Sequence, residues 1–155
     1  MRFLKLISIF AGTMGILTTL SSHGETNEKE PSAKELSAKI EVMCVADTKD
    51  DCIVRNFSTT AEASLIRGKI AYSHYCVLCH GKTGIGDGRA AKIHNPKPAN
   101  LTISTVPPEY MDMIIKKGGE AMGRSMAMPP WGEQLTDEQV KDIINYLISI
   151  RKISR

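Results

Sequence analysis

"YCVLCHGKTG", residues 75–84, is the stretch on which the reading of this chain turns. Cys76 and Cys79 stand three apart, and His80 follows at once. Such a run serves three chemistries: half of a zinc site, a thiol–disulfide switch, or covalent attachment of a haem. Zinc wants four ligands, usually a second cysteine pair or two histidines at matching spacing. Here the other cysteines, Cys44 and Cys52, have seven residues between them, and His94 stands alone. A thioredoxin-like switch wants the motif at the end of a strand in a βαβ setting. No strand alternation leads into Tyr75. Haem attachment needs only what is present. Two thiols on one turn of helix add to two vinyl groups, and the adjacent histidine places Nε2 under the ring to bind iron.

The N-terminus points to the compartment where that chemistry is expected. Arg2 and Lys5 flank an apolar run, "FLKLISIFAGTMGILTTL", and small residues follow at Ser21–Gly24. This predicts a signal peptide over residues 1–24, with a mature start near Glu25 and a periplasmic location. The alternative is an uncleaved anchor, but Lys5, two glycines and several threonines interrupt the run, which is short for a span. No cysteine follows the run, so the lipoprotein form of the signal is absent. No stable membrane insertion is expected after cleavage.

Charge is uneven along the remainder. Residues 25–62 carry nine acids and five bases, whereas residues 63–155 carry thirteen bases and eight acids. That excess is too mild for a nucleic-acid binder, and no basic stripe with interleaved aromatics accompanies it. Aromatic residues make up only 5% of the chain, so something besides side chains is expected to fill the interior.

The chain divides near residue 62 into an acidic N-terminal extension, 25–62, and a helical domain, 63–155. In the extension, residues 25–35 read as a polar tether. Leu36, Ile40 and Met43 read as one face of a short helix, and Cys44–Cys52 as the ends of a polar loop. In an oxidising compartment an intramolecular Cys44–Cys52 disulfide is expected, with free or intermolecular thiols as the alternative. In the domain, residues 61–75 form a helix with Leu65, Gly68, Tyr72 and Tyr75 on one face. Residues 81–106 read as a long loop that wraps something. Residues 107–117 form a helix stopped by Gly118-Gly119. Residues 136–152 give the strongest pattern: Thr136 and Gln139 fit a capping box, and Val140, Ile143, Ile144 and Leu147 make the apolar stripe.

Haem iron needs a sixth ligand or an open site. "GRSMAMPPWGEQLT", residues 123–136, offers methionine in a proline-bounded loop between two helices. Met128, directly before Pro129-Pro130, is the first choice; Met126 and an open or histidine-ligated site are the alternatives. Five of the eight methionines fall between 111 and 128, so most of them must pack rather than ligate.

From about residue 64 to 150 the chain resembles a class I, monohaem, bacterial-type cytochrome c. The resemblance rests on Gly68 and Tyr72, "CVLCHG" at 76–81, "GDG" at 86–88 and "PKPANL" at 96–101, then on "IIKKGG" at 114–119, "MPPWG" at 128–132 and "LTDEQVKDIINYL" at 135–147. It implies a small all-α fold whose first and last helices cross around one covalent haem c, with Gly68 against Tyr146. It implies a proline carbonyl accepting from His80 Nδ1, with Pro96 and Pro98 both eligible. Leu101, Ile114, Ile115, Met122 and Trp131 would line the ring; Trp131 would either approach a propionate or simply pack. Residues 25–62 fall outside the resemblance.

With His80 and Met128 both on iron, the expected role is a carrier of single electrons between redox partner proteins. It would not be an enzyme by itself, though it could serve as a subunit of a larger oxidoreductase. The alternatives are a haem-based gas sensor with a displaceable methionine and a peroxidase-like open site. Lys82, Arg89, Lys92, Lys97, Lys116 and Lys117 are expected to form a weak steering surface. His74 and His94 are expected at the surface.

Overall fold

A computed structural model describes residues 31–44 and 49–152. The expected signal peptide, its cleavage site and most of the expected tether lie outside the described residues.

Helix α1 (Ala33–Met43) begins where Ser32 can cap it. The Ser32 hydroxyl accepts from the Glu35 N–H at 3.3 Å, and the Glu35 carboxylate accepts from the Ser32 N–H at 2.8 Å. The expected tether thus ends at this cap, since residues 33–35 are helical. Ile40 is buried, but Met43 is 52% exposed and leaves the expected apolar face. Cys44 departs from the helix in extended conformation and takes the buried place instead.

A second helix, α2 (Lys49–Asn56), stands where part of the polar loop was expected. Asp50 and Asp51 in its first turn and Arg55 in its last complement the helix dipole, so the polar composition favours the helix. Cys52 lies inside α2, and a disulfide joins it to Cys44 across a Cα–Cα distance of 5.6 Å. Ile40, Cys44, Ile53 and Ala63 form a small core, flanked by Leu36, Cys52, Phe57 and Ile66.

Helix α3 (Ala61–Tyr75) is capped by Thr60, whose hydroxyl accepts from the Ala63 N–H at 3.1 Å. One four-residue turn follows, α4 (Val77–His80). The long loop contains two short 3-10 turns, Arg89–Ile93 and Leu101–Ile103. Helix α5 (Pro108–Ala121) opens on proline, and its backbone breaks at Gly118, where φ is 78°. The expected stop is therefore a kink, with one more turn beyond it. Helix α6 (Asp137–Ser149) has both bonds of the Thr136–Gln139 capping box. Among the described residues there is no strand, and no helix is long and apolar enough to cross a membrane.

The crossing of α3 and α6 organises the larger core. A side chain at Gly68 would collide with the Asp142 carbonyl and lie 2.9 Å from Tyr146 Cβ, so only glycine permits this approach. Val140, Ile143, Ile144 and Leu147 are all buried and pack with Tyr72, Met111, Ile115 and Leu135. Each such aliphatic side chain contributes about 1.5–3 kcal/mol relative to exposure. One polar network is sealed beside the crossing. Asp142, 4% exposed, accepts from Ser64 Oγ at 2.6 Å and Arg67 Nε at 2.6 Å, and Asn145 donates to Ser64 Oγ at 2.9 Å. Arg67 also reaches the Ser58 carbonyl at 2.7 Å, and its bond to Asp142 holds the guanidinium charged.

Candidate functional site

Cys76 ends α3 and starts α4, so one turn carries both thiols and the histidine. The His80 N–H donates to the Cys76 carbonyl at 2.9 Å. Three further bonds hold the turn from outside. The Gly86 N–H donates to the His80 carbonyl at 2.9 Å, and the Gly88 N–H to the Cys79 carbonyl at 3.1 Å. The Tyr72 hydroxyl donates to the Gly81 carbonyl at 2.7 Å. Burial pushes the Tyr72 phenol well above its ordinary value, so it stays a donor. A side chain at Gly88 would run into the Leu78 carbonyl, which is why the "GDG" segment can lie flat on the turn.

His80 Nδ1 lies 3.1 Å from the Ala99 carbonyl. Neither Pro96 nor Pro98 supplies the acceptor, which corrects the expectation. The Pro98 carbonyl faces Gly86, where any Cβ would strike it, so the next carbonyl along this extended segment turns toward the histidine. With Nδ1 engaged, Nε2 is the nitrogen left to bind a metal. Burial lowers the His80 pKa, partly opposed by the bond to Ala99, and so favours the neutral ring that a metal ligand requires.

Burial, and secondarily Cys79, push the Cys76 thiol up to about 12. A switch cysteine needs a depressed value, so the environment does not suit a thiol–disulfide switch. Among the described residues no three His, Cys, Asp or Glu side chains converge as a metal cluster.

The methionine loop is strapped to α5 by its backbone. The Gly119 N–H donates to the Met128 carbonyl at 2.9 Å, the Trp131 N–H to the Ile115 carbonyl at 2.9 Å, and the Gly132 N–H to the Lys116 carbonyl at 3.1 Å. At Gly118 a Cβ would sit 2.8 Å from Pro130 N and 3.0 Å from the Met128 carbonyl, so the glycine pair is what admits the strap. Met128 is half-buried against the larger core, whereas Met126 is 76% exposed.

Leu101, Trp131, Tyr75, Cys76 and Val77 are likewise half-buried on that core, and the Tyr75 and Trp131 rings meet edge-on at 5.2 Å. Apolar side chains that rest on a core without being closed over by protein suit a flat apolar group. Together with two thiols and a neutral imidazole on one turn, they fit a haem. Ile114 and Met122 are also half-buried, but Ile115 is 5% exposed and belongs to the core interior. Lys116 departs from the steering surface: Asp112 and Asp137 hold its ammonium at 2.7 and 2.8 Å. Lys82, Arg89, Lys92, Lys97 and Lys117 are exposed, as is His74, while His94 is intermediate.

Two features had little or no signal in the sequence. The Ala99 carbonyl is a backbone atom whose direction depends on the fold. The Asp142 network could have been suspected from an acid beside the α6 stripe, but its partners lie more than seventy positions away.

No curated protein matches this chain. One chain of the reducing HAO-like protein complex of Kuenenia stuttgartiensis is similar, with 32% identity and a TM-score of 0.46; the likeness covers 56% of this chain and 42% of that one. This chain thus corresponds to less than half the length of that protein. A family model described as "Cytochrome C oxidase, cbb3-type, subunit III" matches residues 63–147. Matched over more than half its length and all-helical where described, the chain belongs to this cytochrome c family, whose domains bind haem and carry electrons.

Proposed function

We propose that this protein is a periplasmic monohaem carrier of single electrons, with haem c attached through Cys76 and Cys79 and iron held between His80 and Met128. The observation that carries the proposal is the Ala99-oriented imidazole on the same turn as both thiols, together with a methionine loop fixed by Gly118-Gly119. When bound, the haem supplies a one-electron iron couple. His80 gives Nε2 in a tautomer fixed by the Ala99 carbonyl. Met128 gives a thioether, a weak donor to iron(III) that favours iron(II) and so raises the potential. Half-buried Leu101 and Trp131 exclude water from the ring and act in the same direction.

With His80 and Met128 both holding the iron, no place would be left for substrate, so the chain would act as a carrier or as the carrier subunit of an oxidoreductase. Its partners are redox proteins, met at a surface whose exposed bases are Lys82, Arg89, Lys92, Lys97 and Lys117. Export follows from the N-terminal segment and agrees with attachment outside the cytoplasm.

The test is the absorption spectrum of the oxidised protein with its Met128→Ala variant. A far-red band of methionine–iron(III) ligation, lost in the variant, is the expected result. A high-spin spectrum in the parent that changes on adding CO or nitric oxide would replace the carrier with the gas-sensor reading.

A further inference from the structure

The strap that presents Met128 has two ends, and they are held differently. At its start the Gly119 N–H binds the Met128 carbonyl at 2.9 Å, a tie made wholly of main chain. Past Trp131 the chain turns tightly to enter α6, with the Gln134 and Leu135 N–H groups both donating to the Trp131 carbonyl. We propose that Lys116 is a positioning residue that clamps this far end to α5, and so sets how readily an outside ligand displaces Met128 from iron. This rests on the His80–Met128 reading above.

Lys116 meets the turn twice. Its carbonyl accepts from the Gly132 N–H at 3.1 Å, and its ammonium donates to an Asp137 carboxylate oxygen at 2.8 Å. Residues 132 and 137 bracket the turn, so one residue of α5 ties both roots. A Cβ at Gly132 would lie 3.0 Å from the Lys116 carbonyl and 3.4 Å from Lys116 Cβ, so the turn rests directly on the lysine. Asp112, one helical turn back on α5, binds the same ammonium at 2.7 Å. That bond stays within one helix and aims the ammonium. The bond to Asp137 crosses to the first residue of α6. Among the described residues it is the only ion pair that joins α5 to α6.

An outside ligand can take the sixth position only after Met128 has left it. Its apparent affinity is then its intrinsic affinity scaled by the fraction of molecules whose strap is open. Opening parts the Trp131 and Gly132 N–H groups from the Ile115 and Lys116 carbonyls. With Asp137 fixed to Lys116, the turn cannot swing about the first residue of α6, and opening is penalised. Ion pairs with an exposed partner are weak, so the penalty is worth a few-fold in affinity.

The experiment uses the oxidised, haem-loaded protein, with imidazole as the probe ligand. The readout is loss of the far-red methionine–iron(III) band. Parent, Lys116→Met, Asp137→Asn, their double variant and Asp112→Asn are compared, and each is also unfolded in denaturant. At low salt, each of the first two substitutions lowers the half-loss concentration of imidazole by about threefold. The double variant lowers it by the same about threefold, because the two residues act as one clamp. Asp112→Asn shifts it less. Added salt moves the parent toward the variants and leaves the double variant where it was. Parental values in both single variants overturn the proposal, and so does an additive shift of about ninefold in the double variant. An Asp112→Asn effect as large as that of Asp137→Asn overturns it too, as do shifts that simply follow the unfolding midpoints. A parent without the far-red band overturns the His80–Met128 reading instead, and is told apart because no variant then has a methionine band to lose.

Discussion

The hairpin of α1 and α2 and the helical body built on α3 and α6 solve the same problem by different means. The hairpin has few apolar residues to bury, chiefly Ile40 and Ile53, which pack with Ala63 of α3, and it is closed by a disulfide. The body has a full stripe on α6, a glycine crossing, and loops tied back by main-chain hydrogen bonds. A short segment cannot offset its conformational entropy by burial alone, so a covalent staple restricts the unfolded state instead. The body needs close approach, which makes it sensitive to added atoms rather than to lost bonds.

The largest effect is expected where the body is tightest. Gly68→Leu drives a side chain into the Asp142 carbonyl and should cost on the order of 3 kcal/mol or more. Denaturant unfolding checks this, and an unchanged midpoint would remove Gly68 from the comparison. Next comes the hairpin. Reducing Cys44–Cys52 should cost about 2–3 kcal/mol for a loop of this length. Hydrogen exchange should quicken over residues 33–56 and not in α6. Uniform loosening of both regions would show that they unfold as one. A smaller change is expected from Tyr72→Phe, which removes the donor to the Gly81 carbonyl and should cost about 1 kcal/mol, read as a lower thermal midpoint.

The smallest effect is electrostatic. The Lys116 ammonium holds the exposed Asp137 carboxyl below the ordinary carboxylate range. A depressed folded pKa gives stability that is present above the unfolded value and lost as pH falls through the folded one. Asp137→Asn should therefore cost a small amount of stability at neutral pH, leave strongly acid pH nearly unchanged, and so shrink the acid-side loss. An acid titration of parent and variant with the same slope would remove this pair as a contributor.

What was legible in the sequence follows the same division. Helix α6 could be read almost residue by residue, because its cap and its stripe are local patterns and both are realised. Helix α3 and the turn through His80 were also legible, since the glycine, the tyrosine and the motif sit at fixed offsets. Helix α2 was hidden behind a polar composition that suits a solvated helix as well as a loop. The acceptor for His80 went to Ala99 because Gly86 already faces the Pro98 carbonyl, a tertiary fact with no residue type to announce it. Lys116 counted as a free base until its acidic neighbours on α5 and α6 were placed beside it.

The Ala99 contact has a consequence for how this protein can vary over time. A main-chain oxygen is supplied by every amino acid, so no substitution at position 99 can delete the chemical group that orients His80. The side chain there is exposed and can drift without touching the histidine's tautomer. The constraint moves to Gly86 and Gly88, which carry no functional group at all. In this site heredity must guard the positions that look empty, while the atom that touches the histidine guards itself.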